Sequence, residues 1–250
     1  MIRCKLRKYA IVLPLCAVFF ISLCTYTYLR FYNYLNSDYS EKLSQKNIFY
    51  NVAGGDGDFI TSGNVIGFYI ILFVLFLFYI FTDENESYIV RLKSRASFVT
   101  GRIADCAVFA FLFSFLIEAV NVVAALICFD INLILELNFL QYSALELLIL
   151  FYFRAGLVML SFGIIISPKV APFITIALYL IELFATIIFM ISKVWLPFRD
   201  SVVVSKLMHG EMVLSDMWGI ILRALLMMFL LIFSSYFLYQ KKDVLSNVKK

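Results

Sequence analysis

The chain has few of the residues on which soluble catalysis and metal binding depend. Only 15% of its 250 residues are charged, against about 25% in soluble domains. It contains one histidine, His209, which excludes H-E-x-x-H and multi-histidine zinc sites. It has no G-x-x-x-x-G-K-S/T loop with which to hold ATP phosphates. We therefore predict that the chain is not an enzyme and binds no metal or cofactor itself.

Apolar residues, in contrast, make up 63% of the chain and are concentrated in six long runs. Each run exceeds the ~18 residues that mark a candidate membrane span. The runs lack strict alternation and are about twice the ~10-residue length of barrel strands, so helices are expected. The sequence predicts one all-α, polytopic transmembrane domain over residues 1–250. Its spans are residues 9–29, 63–82, 103–128, 143–166, 172–192 and 217–240.

Lysine and arginine are distributed unevenly between the two sides of these spans. The segments 1–8, 83–102, 167–171 and 241–250 hold 13 of them in 43 residues, whereas the segments on the other side hold 6 in 71. The basic side is expected to be cytoplasmic, which predicts a multi-pass plasma-membrane protein with both termini inside. The basic residues are dispersed along membrane edges, so we expect membrane lipid and no nucleic acid as a partner.

Four charged residues fall in the middle or outer half of the predicted spans, and Glu146 lies nearer the outer edge. At ~1.5 Å per residue they lie ~15–25 Å from the inner boundary of a ~30 Å hydrocarbon core. Each alone would cost ~2.5–3.5 kcal/mol on insertion scales, so we expect acids and bases to neutralise one another, and Glu118 to pair with Arg154 first. The group either lines a substrate path or only holds helices together. Its members are Glu118, Arg154, Glu182 and Arg223.

Residues 84–102, between spans two and three, are predicted to form a separate amphipathic helix. Asp83 can cap its start, acids precede bases along the helix dipole, and apolar residues recur on one face. Gly101 offers a break before span three. The helix either lies in the lipid interface or docks into a groove on a soluble partner. The residues predicted to make this coupling contact are Glu84, Glu86, Tyr88, Arg91, Leu92, Arg95 and Val99.

Three further features point to a known family. Ser94-Arg95 follows the acidic residues of the helix predicted at 84–102. Residues 236–245 are an aromatic stretch followed by basic and aliphatic residues, and residues 193–216 are expected to form an external segment before span six. With six spans and both ends inside, these features resemble the permease subunits of type-2 ATP-binding-cassette (ABC) exporters. The resemblance implies a re-entrant hairpin at 193–216.

The same resemblance implies the partners and the activity. Separate ABC ATPase subunits would bind ATP and Mg and press on the inner helix, and a second permease, identical or related, would face this one. Substrate would be an amphiphile, such as an antimicrobial peptide or a small lipophilic compound. Two alternatives remain open, namely a self-contained secondary transporter or channel and a non-transporting membrane scaffold. Against the first, the chain shows no internal repeat, and Pro14 is the only clearly intraspan proline.

Overall fold

The computed structural model describes residues 2–35, 64–82, 95–136, 138–189 and 214–241. The regular structure of these residues is helical, with no strand among them. A π-helical turn at Asn64–Tyr69 leads directly into α2. The helices are α1 (Ile2–Leu35), α2 (Ile70–Phe81), α3 (Arg95–Cys128), α4 (Ile131–Glu136), α5 (Asn138–Ile165), α6 (Ala171–Phe189) and α7 (Leu214–Lys241).

Four helices in the described part of the chain are long and apolar enough to cross a membrane. They correspond to the first, third, fourth and sixth predicted spans. The second and fifth spans coincide with shorter apolar helices, Gly67–Phe81 and Ala171–Ala185. The chain thus has the features of a multi-pass, membrane-embedded helical protein, whereas the total of six spans stays a prediction. The four long helices cover Leu6–Leu29, Ala96–Cys128, Tyr142–Ile165 and Ser215–Gln240.

Helix α5 is the central element of the bundle. It packs against α3, α7, α6 and α2, and 61% of its apolar window is buried, against 22% for α7. Gly156 allows its close approach to two neighbours, because a Cβ at this position would lie 3.1 Å from the Cβ of Cys106 and 3.3 Å from a methyl group of Leu77. Its high burial leaves α5 with the smallest lipid-facing surface of the four long helices.

Aromatic side chains fill the core between α1, α2, α3 and α5. Phe113 has its ring centroid 5.2 Å from that of Phe20, 5.4 Å from that of Phe73 and 5.0 Å from that of Tyr152, all in edge-to-face geometry. All four side chains are fully buried. Edge-to-face pairs add about 0.5–1.5 kcal/mol each beyond their burial. Many of the phenylalanines in the sequence thus have a packing role.

Contacts at the two ends of the bundle fix the directions of its helices. At one end, Val99 of α3 packs with Leu160 of α5 and Tyr239 of α7, and the hydroxyl groups of Thr100 and Tyr236 form a hydrogen bond. At the other end, the start of α5 packs against the start of α7. Helix α3 therefore runs antiparallel to α5 and α7, as a chain that crosses back and forth requires. That the first of these ends is cytoplasmic stays a prediction.

The predicted helix break at Gly101 is absent, because α3 runs without interruption from Arg95 to Cys128. A single glycine inside a helix costs only about 1 kcal/mol relative to alanine, and the packing at Val99 and Arg102 on either side more than offsets it. The predicted external segment also ends earlier than expected, because α7 begins at Leu214. Residues 193–213 lie outside the described residues.

Candidate functional site

Buried polar side chains occur at two levels of the bundle. A basic pair, Lys8 and Arg102, surrounds the end of α2, and the charged residues Glu118 and Arg154 lie deeper, between the spans. All four are less than 9% exposed. Charged groups inside a membrane bundle are expensive and usually face its interior, so these positions form the candidate site.

Glu118 lies in α3, on the side that faces α1. It is 5% exposed, and neither carboxyl oxygen has a hydrogen-bond partner among the described residues. Its electrostatic neighbours are Asn121, one turn further along α3, and Tyr28 of α1. The Tyr28 hydroxyl donates to Oδ1 of Asn121 over 3.2 Å, which joins α1 to α3. The described neighbours of the carboxyl named here, Asn121 and Tyr28, are neutral polar groups.

Arg154 lies in α5 and contacts aromatic rings of α5 and α6. Its guanidinium carbon is 5.3 Å from the ring centroid of Phe151 and 6.0 Å from that of Tyr179, and the Tyr179 hydroxyl interacts with the guanidinium. The Nε and Nη2 atoms of Arg154 have no hydrogen-bond partner among the described residues. Cation–π contacts of desolvated groups contribute about 2 kcal/mol, which partly offsets the burial of this charge.

The predicted ion pair between Glu118 and Arg154 is therefore wrong. The two residues lie at similar depths, but Glu118 is turned toward α1 and Arg154 toward α6, so that they sit on different sides of the α3–α5 contact. Glu182 of α6 is half-buried and lies close to Tyr179, on the Arg154 side of the bundle. Arg223 of α7 is also half-buried. Of the four predicted intramembrane residues, Arg154 and Glu182 both lie close to Tyr179.

The basic pair forms a clamp on the C-terminal end of α2. Lys8 Nζ donates to the carbonyl oxygens of Tyr79 and Ile80, over 2.5 and 3.2 Å. Arg102 Nη2 donates to the carbonyl oxygen of Phe81 over 3.2 Å, and its guanidinium lies 4.1 Å from the Phe81 ring centroid. The last carbonyls of a helix lack hydrogen-bond partners within the helix and carry the negative end of its dipole. Cations placed there donate hydrogen bonds to these carbonyls and also neutralise the dipole charge.

Sequence reasoning used Lys8 and Arg102 only as markers of orientation and did not predict this clamp. It also missed the hydrogen bond from Tyr28 to Asn121 and the one between the hydroxyl groups of Ser161 and Ser235, 3.0 Å long, which joins α5 to α7. The available signal was the presence of serine, asparagine and tyrosine within apolar runs, where such groups usually bind a neighbouring helix.

The predicted coupling helix is only partly described. Glu84, Glu86, Tyr88, Arg91 and Leu92 lie outside the described residues, and Arg95 is the first residue of α3. Val99 is 1% exposed and packs inside the chain against α5 and α7. Its predicted contact with a partner is therefore wrong, since the apolar stripe at this position is covered by the chain's own helices.

The described residues contain no group of three or more His, Cys, Asp and Glu side chains that could hold a metal ion. What the fold and its buried polar groups define is a multi-pass helical bundle with two charged side chains deep in its interior. No family model, no curated protein and no solved structure matches the chain.

Proposed function

We propose that this chain is the membrane-spanning permease subunit of an ABC exporter. In this proposal six spans cross the plasma membrane with both termini in the cytoplasm, and the chain has no enzymatic activity and no cofactor of its own. Partner ABC ATPases bind ATP and Mg, and a second permease, identical or related, completes the path. The exported substrate is an amphiphile such as an antimicrobial peptide or a small lipophilic compound.

The observation that best supports this proposal is the way the helices are joined around residues 83–94. This segment links the end of α2 to the start of α3. Lys8 of α1 and Arg102 of α3 both hold the last carbonyls of α2, and the start of α3 packs against the ends of α5 and α7. A force applied to the segment would thus reach five helices through direct contacts.

This linkage matches what ATP-driven transport requires of a permease. Rigid-body movements pass between subunits when packed elements have two discrete arrangements and a contact that biases one of them. In the proposed mechanism, ATPase closure displaces the segment around residues 84–94. The clamp then moves α1 and α2 together with α3. The substrate path opens alternately to the two sides of the membrane because these helices repack as one group.

The test is the composition and energy source of the native assembly. An affinity-tagged full-length chain is purified from its native membranes, and the proteins that accompany it are identified by mass spectrometry. The complex is then reconstituted into vesicles with a fluorescently labelled cationic antimicrobial peptide as the probe. We expect a co-purified ATPase and transport that requires ATP. Transport by the chain alone, or accessibility of residues 84–94 from the outside of the cell, would overturn the proposal.

A second candidate, a self-contained secondary transporter, is favoured by one specific observation. Glu118 and Arg154 are buried in the bundle without forming an ion pair with each other, and charged residues in such positions often belong to ion or proton pathways. Under this alternative the purified chain moves solute in response to an imposed ion or proton gradient with no ATPase present. The same vesicles distinguish the two candidates when the gradient and the ATP are supplied separately.

A further inference from the structure

Glu118 is the most isolated acid in the described part of the bundle. Its side chain is 5% exposed, and both carboxyl oxygens are inaccessible and have no hydrogen-bond donor among the described residues. It lies at the contact of α3 with α1, beside the hydrogen bond from Tyr28 to Asn121. A carboxylate normally needs a cation or several donors when it is removed from water. Among the described residues Glu118 has no cation beside it, and the Asn121 side chain is the one donor group that interacts with its carboxyl.

The described side chains of the helices that pack against α3 supply no hydrogen-bonded cation to this carboxyl. Tyr28 is the titratable group that faces it from α1, and Asn121 is its neighbour on α3. Helix α2 carries no charged residue. The Glu118 carboxyl oxygens form no hydrogen bond with the described charged side chains on the packed helices. These side chains are Arg7 and Lys8 on α1, Glu146 and Arg154 on α5, and Asp216 and Arg223 on α7.

We propose that Glu118 is a proton-binding site: its carboxyl is neutral in this packing, and its proton is released when the contact between α1 and α3 opens to water. A proton is the one cation that this position can hold, because the carboxyl oxygens have no accessible surface on which a metal ion or an ammonium group could sit. Protonation removes the charge and so removes the need for a partner.

The contact with α1 provides the element that could open. Tyr28 and Cys24 are the α1 side chains that reach α3 here, through the Asn121 side chain and the Val120 carbonyl respectively. The Asn121 carbonyl accepts the Tyr28 hydroxyl, so that its amide nitrogen is left to face the Glu118 carboxyl. Separation of α1 would expose Asn121 and Glu118 together. Proton release and loss of the α1–α3 contact are therefore coupled.

The first test is infrared spectroscopy of the purified full-length chain in lipid nanodiscs at neutral pH. We expect a carbonyl-stretch band of a protonated carboxyl that shifts on deuteration and is lost in Glu118→Gln. The matched control is Glu146→Gln, because Glu146 is an exposed acid on α5, and this variant should keep the band. A wild-type spectrum without the band, or a band that survives in Glu118→Gln, would overturn the proposal.

A second measurement needs no variant and therefore holds even if Glu118→Gln fails to fold. Dicyclohexylcarbodiimide is an apolar reagent that can reach the carboxyl from the lipid when α1 and α3 move apart. The O–H of a protonated carboxyl adds across one C=N bond to give an O-acylisourea, which rearranges by O-to-N acyl transfer to a stable N-acylurea of the same composition. Mass spectrometry of the treated wild-type chain should find this adduct on Glu118, declining as the pH rises. No adduct on Glu118, or equal labelling of Glu146, would count against the site. Neither measurement involves transport or an ATPase, so the result is independent of the proposed exporter function.

Discussion

Replacement of Gly156 by alanine tests the close packing at the centre of the bundle. A Cβ added here would lie 3.1 Å from the Cβ of Cys106, 3.2 Å from its Sγ and 3.3 Å from a methyl group of Leu77. Carbon atoms pack best at about 3.5–4.0 Å. The Sγ and the methyl group can rotate away, but the Cβ of Cys106 is fixed to the backbone of α3. The α3 and α5 backbones would therefore have to separate by about 0.5 Å.

The expected magnitude follows from two opposing effects. Overpacking of a dense core costs about 1–3 kcal/mol, whereas replacing a helical glycine by alanine stabilises by about 1 kcal/mol. Because a Cβ fixed to the backbone cannot yield, overpacking should win. We expect a net loss of up to about 2 kcal/mol in the free energy of unfolding, which is up to roughly a 30-fold change in the folded-to-unfolded ratio.

The chain supplies matched controls for this experiment. A Cβ at Gly101 or Gly219 would have no atom within 4 Å, so Gly101→Ala and Gly219→Ala should be neutral or stabilising. Unfolding free energies would be measured by titrating SDS into mixed micelles and following helix content. Replacing Cys106 by glycine removes the fixed contact and should reduce the cost of Gly156→Ala in a double-mutant cycle. Equal stability of Gly156→Ala and Gly101→Ala would refute the reasoning.

Three further predictions concern the clamp on the end of α2, the predicted coupling helix, and the buried residues Glu118 and Arg154. Lys8→Met removes the side-chain donor to the Ile80 carbonyl, whereas the Tyr79 carbonyl still accepts from Thr82; the change should cost about 1–3 kcal/mol in the SDS titration, and a change below 0.5 kcal/mol would mean that the clamp contributes little. Under the proposed exporter function, Leu92→Asp should weaken co-purification of a partner ATPase at least several-fold, with the exposed Ala96→Asp as control, and equal recovery for both variants would argue against docking through Leu92. Arg154→Glu should lower expression of folded protein, and adding Glu118→Arg should not restore it, because the two side chains do not contact each other. Recovery of expression in the double variant would instead show that positions 118 and 154 form an ion pair.

The helices were predictable from sequence because hydrophobic length alone decides them. The six apolar runs each became a helix, since a backbone in hydrocarbon must satisfy its own hydrogen bonds. Their ends were less predictable. Helix α1 begins at Ile2 and reaches Leu35, beyond the predicted 9–29, because Arg and Lys at a membrane edge are also good helix formers. At Gly101 a helix end was predicted where the helix continues, because a residue that weakens an isolated helix is tolerated within a packed one.

The polar contacts were less predictable, because sequence spacing gives depth in a membrane but not the direction in which a helix face points. Glu118 and Arg154 were paired because they lie at similar predicted heights on consecutive spans joined by a short loop. Their directions, however, depend on how α3 and α5 are rotated against α1 and α6. Val99 does lie on a buried apolar face of its helix. The apolar pattern, however, does not show whether that face packs against a partner's groove or against the chain's own helices. Lys8 was read as a charge outside the membrane, although its long side chain reaches back to a neighbouring helix.

The central position of α5 has a consequence for how the protein is made. Synthesis proceeds from the N-terminus, so α5 leaves the ribosome well before α7, whose first residue is Leu214. Until α7 arrives, Ser161 lacks the hydroxyl of Ser235, and the side of α5 around Leu147 meets lipid in place of Met217 and Ile220. The nascent bundle thus lacks these contacts along one flank until α7 has been synthesised, and the packing of α7 against α5 closes that flank.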